Sequence, residues 1–193
     1  MRPRLRLLPA AFAVVALVAA CGGTDAAPQR SSAPSESWSV SDCSKMAAPA
    51  KASEVPAGSA VEDGVSTTAV VGEAPLVGIA QSAQAATSLV TLDVVEGTGD
   101  AVQPGATVTV DYCGVGLATA TLFDSSWLRG QPATFPLGNV ITGWQDGIPG
   151  MKPGGRRLLL IPGDLAYGPN PPPGSGIEPD ETLVFVVDMI SSP

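Results

Sequence analysis

The stretch ATVTVDYCGVG, residues 106–116, alternates strictly. Val108, Val110 and Tyr112 project to one side, and Thr107, Thr109, Asp111 and Cys113 to the other. A period of two residues marks a strand with one buried face. ETLVFVVDMI, near the C-terminus, repeats the pattern, with Leu183, Phe185, Val187 and Met189 on one face. SLVTLDVVEGTGD reads as a strand running into a turn, with Gly97, Gly99 and Asp100 as turn formers. RRLLLIPG reads as a strand with a continuous apolar run. A chain with these segments builds a mostly antiparallel sheet joined by long Gly/Pro loops.

One short helix fits the remainder. Asn139 suits an N-cap, and Ile141, Trp144 and Ile148 recur at i, i+3 and i+7, one helical face. Pro149 and Gly150 end it. Trp144 is one of only three tryptophans, in a chain with two tyrosines and four phenylalanines. The helix turns it toward the sheet; periodicity leaves open whether the far side of the indole is packed or faces a cleft.

Composition removes whole classes of chemistry. The chain has no histidine, so no Ser-His-Asp or Cys-His site can form and the commonest zinc ligand is missing. The three cysteines are too far apart for a metal motif, and no cofactor motif is present. The formal charge is −8, although three of the ten cations (Arg2, Arg4 and Arg6) cluster at the N-terminus. A nucleic-acid partner needs a basic face, and this chain does not supply one.

MRPRLRLLPAAFAVVALVAAC has a basic start and an apolar run from Leu7 to Ala20, short for a membrane span and ending in small residues. It reads as a secretory leader, residues 1–20. VAAC resembles the bacterial lipobox, in which the cysteine is acylated and begins the mature protein. This implies a protein lipid-anchored through Cys21 to the cell membrane, on its extracytoplasmic face. The alternative is an ordinary leader cut at an Ala-x-Ala site. Residues 21–87 then form an Ala/Ser/Pro-rich tether and lead-in. From Gly22 to about Gly64 the composition offers too little apolar surface to offset chain entropy and predicts a mostly disordered tether. The domain proper spans residues 88–193.

The order of motifs within 88–193 is specific. VTVDYCGVG, then LFDSS, then ATFPLGNVITGWQDGIPGMKPGGRRLLLIPGDLAYG, then ETLVFVVDMI resembles the FKBP-type peptidyl-prolyl cis-trans isomerases. The resemblance implies an α+β fold, an antiparallel β half-barrel wrapped around one short α-helix, with the cleft between helix and sheet. By position it implies a catalytic set of Tyr112, Phe123, Asp124, Ile141, Trp144, Tyr167 and Phe185. Phe135, Val140 and Ile177 would add to the substrate-binding wall, and Arg129 would pair with Asp124. Ala133 stands where many members have another aromatic residue. The implied partners are proline-containing polypeptides and macrolide inhibitors, and the implied state is a monomer.

An apolar pocket suits this chemistry without a proton carrier. Rotation about an X-Pro bond breaks amide resonance, and the twisted amide is less polar than the planar one. The implied function is isomerisation that assists the folding of exported proteins; a module that binds proline-containing segments without turnover is the competing reading. With Cys21 lipidated, Cys43 and Cys113 remain. Outside the cytoplasm two thiols tend to pair, and alternation points Cys113 away from the cleft, within reach of the tether. The other reading leaves both thiols free.

Overall fold

The computed structural model describes residues 36–193. The expected leader, Cys21 and the first part of the tether lie outside the described residues. From Trp38 onward the expectation of a mostly disordered tether does not hold. Five strands form here: β1 (Trp38–Asp42), β2 (Ala50–Ala52), β3 (Ser59–Glu62), β4 (Val65–Thr68) and β5 (Leu76–Ala80). They pair antiparallel in the order β2-β1-β5-β4-β3. The signal for one hairpin was present in the sequence. Asp63-Gly64 joins β3 to β4 with both residues at positive φ (46° and 74°), the two-residue turn whose twist matches paired strands. Composition misled because this sheet does not make a core of its own. It borrows one.

The lender is a second antiparallel sheet, built from β6 (Val90–Val95), β7 (Thr107–Gly116), β8 (Leu122–Ser125), β9 (Ala133–Pro136), β10 (Arg156–Ile161) and β11 (Leu183–Ser191). Its order is β6-β10-β11-β7-β8, with β9 pairing the start of β7 (Thr107–Val110) and β8 its end (Cys113–Val115). Two helices complete the domain: a single turn, α1 (Ser126–Arg129), and α2 (Thr142–Gly147). This is the expected half-barrel around one short helix. Asn139 is not the N-cap. It closes a 3-10 turn, Leu137–Asn139, while Val140 and Ile141 are extended, and the Ile141 carbonyl accepts the helix's first bonds, from the Trp144 N–H (2.9 Å) and the Gln145 N–H (3.2 Å).

The second sheet has a core on each face. Toward α2 lie Val108, Val110, Tyr112, Leu159, Ile161, Leu183, Phe185, Val187 and Met189, packed with Trp144 and Ile148. Toward the first sheet lie Cys113, Val115, Leu158, Leu160, Val184 and Val186, packed with Cys43, Val65, Val77 and Ile79. Each Val or Leu so buried contributes roughly 1.5–3 kcal/mol by leaving water. The borrowed face is therefore what lets residues 38–80 overcome their ordering entropy.

A covalent bridge and a buried ion pair fix the layers. Cys43 and Cys113 are joined by a disulfide (Cα–Cα 5.9 Å), so the paired reading holds. Arg156, fully buried, donates to both carboxylate oxygens of Asp188 (2.5 and 2.8 Å) and to the carbonyls of Thr68 (2.8 Å) and Glu73 (2.7 Å) in the first sheet. Its neighbour Arg157 points the other way. It donates to Asp93 on β6 (2.7 and 2.9 Å) and to the Gly147 carbonyl at the end of α2 (2.7 Å). Helix α2 can lie close to the sheet because residue 143 is glycine: any Cβ there would run into the Ile161 side chain.

An uncompensated buried carboxylate is costly, typically 3–5 kcal/mol when its partner is removed. Arg156→Met should lower the free energy of unfolding in urea by about 3–5 kcal/mol, and adding Asp188→Leu should restore most of it. A double variant no more stable than the single one would contradict this account.

Candidate functional site

A cleft of about 210 Å³ opens between α2 and the second sheet. Its walls are Tyr112 from β7, Phe123 and Asp124 from β8, Phe135 from β9, Val140 and Ile141 from the approach to α2, Trp144 from α2, Phe185 from β11 and Tyr167 from the loop after β10. Both tyrosines and three of the four phenylalanines of the chain are gathered here. Of the residues expected at the site, Ile177 and Arg129 do not line the cleft. Ile177 packs against the edge of the core that runs beneath it. Arg129 acts through two residues that do line it.

Trp144 is the floor. It is 4% exposed, and three rings stand nearly perpendicular to its plane: Tyr112 (5.3 Å, 90°), Phe135 (5.8 Å, 89°) and Phe185 (5.3 Å, 83°). Edge-to-face packing of this kind contributes beyond area burial and leaves each ring little room to tilt. The indole N–H has no hydrogen-bond partner among the described residues.

Local backbone features put the other walls in place. In the β7–β8 ladder Gly114 faces Asp124 and Val115 faces Leu122, so Phe123 is an extra residue, a bulge. Bulges re-aim side chains, and this one lets consecutive Phe123 and Asp124 both reach the cleft. Gly114 makes the room: a Cβ there would collide with the rings of Phe123 and Phe185. Neither the bulge nor the role of Gly114 was legible from alternation, which assumes an unbroken register.

The rim is polar. The Tyr112 hydroxyl donates to Asp124, and Arg129 donates to Asp124 and to the Tyr112 oxygen (2.8 Å), its guanidinium 5.2 Å from the Tyr112 ring centre. Burial first, and then the hydrogen bond to Asp124, push the Tyr112 phenol up to about 12. Tyr167, 38% exposed at the mouth, is also raised, by burial and then by the Asp124 charge. The Ile141 N–H donates to no backbone acceptor among the described residues.

Comparison with known proteins bears on the same stretch. Residues 99–190 match the model of the FKBP-type peptidyl-prolyl cis-trans isomerases. A probable FK506-binding protein of Corynebacterium glutamicum is 52% identical over 105 residues, covering 54% of this chain and 86% of the relative. The chain belongs to the FKBP-type isomerases. An FK506-binding protein of Streptomyces anulatus is 50% identical over 101 residues, 51% of this chain and 82% of its own. The crystal structure of FkpA from Escherichia coli superposes with a TM-score of 0.51 at 40% identity, over 56% of this chain and 50% of that one. The first sheet, residues 38–80, precedes the family match.

A larger cleft of about 750 Å³ lies where Ser37, Ser39 and Ile79 of the first sheet meet residues 117–120 and 178–182. Its walls are mainly small side chains without an aromatic ring. Size alone would favour it; chemistry and the family match favour the smaller cleft.

The raised phenol has a measurable consequence. The folded protein holds the Tyr112 proton more tightly than the unfolded chain, whose tyrosines ionise near ~10. Stability should therefore be insensitive to this group below pH ~10 and should fall as pH rises from ~10 to ~12. Absorbance titration should show a tyrosine ionising near 12 that disappears in Tyr112→Phe; two tyrosines titrating together near ~10 would contradict the geometry.

Proposed function

We propose that this isomerase seats the proline of an X-Pro segment on the Trp144 indole and twists the preceding amide in the aromatic cleft. The observation that carries the reading is the gathering of six rings around one apolar seat, with the Ile141 amide at its edge. The barrier to rotation is ~18–20 kcal/mol, and the uncatalysed step takes ~10–100 s. A rate gain of 10⁴ requires about 5.5 kcal/mol of preferential stabilisation of the twisted state.

Three features of the cleft supply it. The dry walls favour the less polar twisted amide over the planar one. The Ile141 N–H and the Tyr167 hydroxyl hold the carbonyls flanking the proline, so the rotation happens in a fixed frame. The Tyr112–Asp124–Arg129 group keeps the Asp124 carboxylate on the wall without exposing an unpaired charge. No step moves a proton, so the rate should be flat from pH 6 to pH 9. In this reading a single chain supplies the whole site, and the protein works as a monomer. FK506-type macrolides would compete for the same seat.

The setting is part of the proposal. The basic-then-apolar leader and VAAC support export and acylation at Cys21, which would hold the isomerase at the extracytoplasmic face of the cell membrane, among newly exported chains whose proline bonds limit folding.

The test is cis-to-trans relaxation of a short Leu-Pro peptide. The protein should accelerate it; Trp144→Leu, which keeps the floor apolar, should lower kcat/KM at least ~10-fold, and Tyr167→Phe about 3-fold. Binding of the peptide without acceleration would make this a proline-segment binding module instead.

A further inference from the structure

The first sheet stands outside the family match, yet it touches the back of the catalytic walls. We propose that β1 and Cys43 hold the β7–β8 hairpin in its working shape from behind, with Ser125 as the positioning residue through which the hold reaches Asp124 and Tyr112. This rests on the isomerase reading above.

The need for a hold is visible in the ladder. Strand β8 is four residues long, lies at the edge of its sheet, pairs only with β7 and is broken by the Phe123 bulge. A short, bulged edge strand belongs to the low-stability end of a fold and opens readily. Yet it carries two walls of the cleft. A cleft that works by fixed geometry cannot leave those walls to its own ladder.

The hold has three points. Cys113 and Ser125 are directly opposite each other in the β7–β8 ladder, and both face the first sheet. Cys43 meets both: its sulfur is bonded to Cys113, and its carbonyl accepts the Ser125 hydroxyl at 2.8 Å. Two residues earlier, the Ser41 hydroxyl donates to the Ala120 carbonyl (2.5 Å) at the turn of the hairpin. All four side chains are essentially sealed from water, so a bond lost there is not replaced by solvent.

The front of the hairpin reads the back directly. Tyr112 precedes Cys113, and Asp124 precedes Ser125. Ser126, next along, accepts the Tyr112 N–H (2.9 Å) and donates to Asp111 (2.7 Å). A shift of the Ser125 backbone therefore moves the carboxylate that the Tyr112 hydroxyl bonds.

A double-mutant cycle separates positioning from mere stability. Thr and Val have the same shape and differ in the hydroxyl. Ser125→Thr should keep kcat/KM within about twofold of wild type, while Ser125→Val should lower it about fivefold, chiefly through kcat. In a Tyr112→Phe background, where the phenol no longer bonds Asp124, the same Val substitution should cost less than about 1.5-fold. A plain loss of stability would act equally in both backgrounds, and equal losses would overturn the proposal, as would Thr and Val behaving alike. Should Ser125→Val fail to fold, Ser41→Ala gives the same cycle from the first sheet's side. The wild-type rate distinguishes the two readings: no acceleration there removes the isomerase reading and the hold with it, whereas acceleration with additive losses removes the hold alone.

Discussion

Strand β10, the first seven residues of β11 and the second half of β7 have no face that can meet water. Everything else in the molecule answers that constraint. One face is covered by α2 and the loops that lead to it, the other by the first sheet. The two adjacent arginines show the division within a single strand. Alternation sends Arg156 backward to Asp188 and to the carbonyls of Thr68 and Glu73, and Arg157 forward to Asp93 and the end of α2. Each guanidinium has a planar fork of donors that no lysine could match, and each ties a covering layer to the sheet.

At the aromatic cleft the covering stops short. Trp144 is packed edge-on by three rings, and Gly114 and Gly143 let the walls and helix approach without filling the space above the indole. A tightly packed cavity wall is a poor place for water and a good one for an apolar ring. At the rim the Tyr112 hydroxyl, Asp124 and Arg129 are committed to one another, while the Ile141 amide and the Tyr167 hydroxyl have no partner among the described residues. That arrangement favours chemistry by exclusion and fixed geometry, which needs no histidine.

The two kinds of reading of the sequence succeeded for different reasons. Alternation in ATVTVDYCGVG and ETLVFVVDMI found β7 and β11 because their front-face residues keep a period of two. Motif order placed nine of the eleven expected residues around the cleft, and Arg129 one bond behind it. Ile177 missed because loop length fixes its neighbours and pattern does not. The larger miss was residues 38–64, expected as a disordered tether. Composition asks whether a segment can bury enough of itself; it cannot ask whether another segment has a bare apolar face to offer. The clue lay elsewhere, in the unbroken apolar run of RRLLLI. A strand apolar on both sides needs a second cover, and a half-barrel with one helix provides only the first. The Asp63-Gly64 pair was the matching clue within the cover itself.

The disulfide also redirects force. Cys43 lies seven residues into the described chain and is bonded to Cys113, in the interior strand β7, 70 residues further on. Tension applied to the chain before Trp38 can therefore pull on β1 alone before it passes through a covalent bridge into the middle of the catalytic sheet, and the other strands of the first sheet are not peeled away one by one. The intervening 70 residues, roughly 230–250 Å of extended chain, are withheld from any stretching until that bridge is reduced. For a module tied at its N-terminal end, the load would be borne by the same hairpin that shapes the cleft.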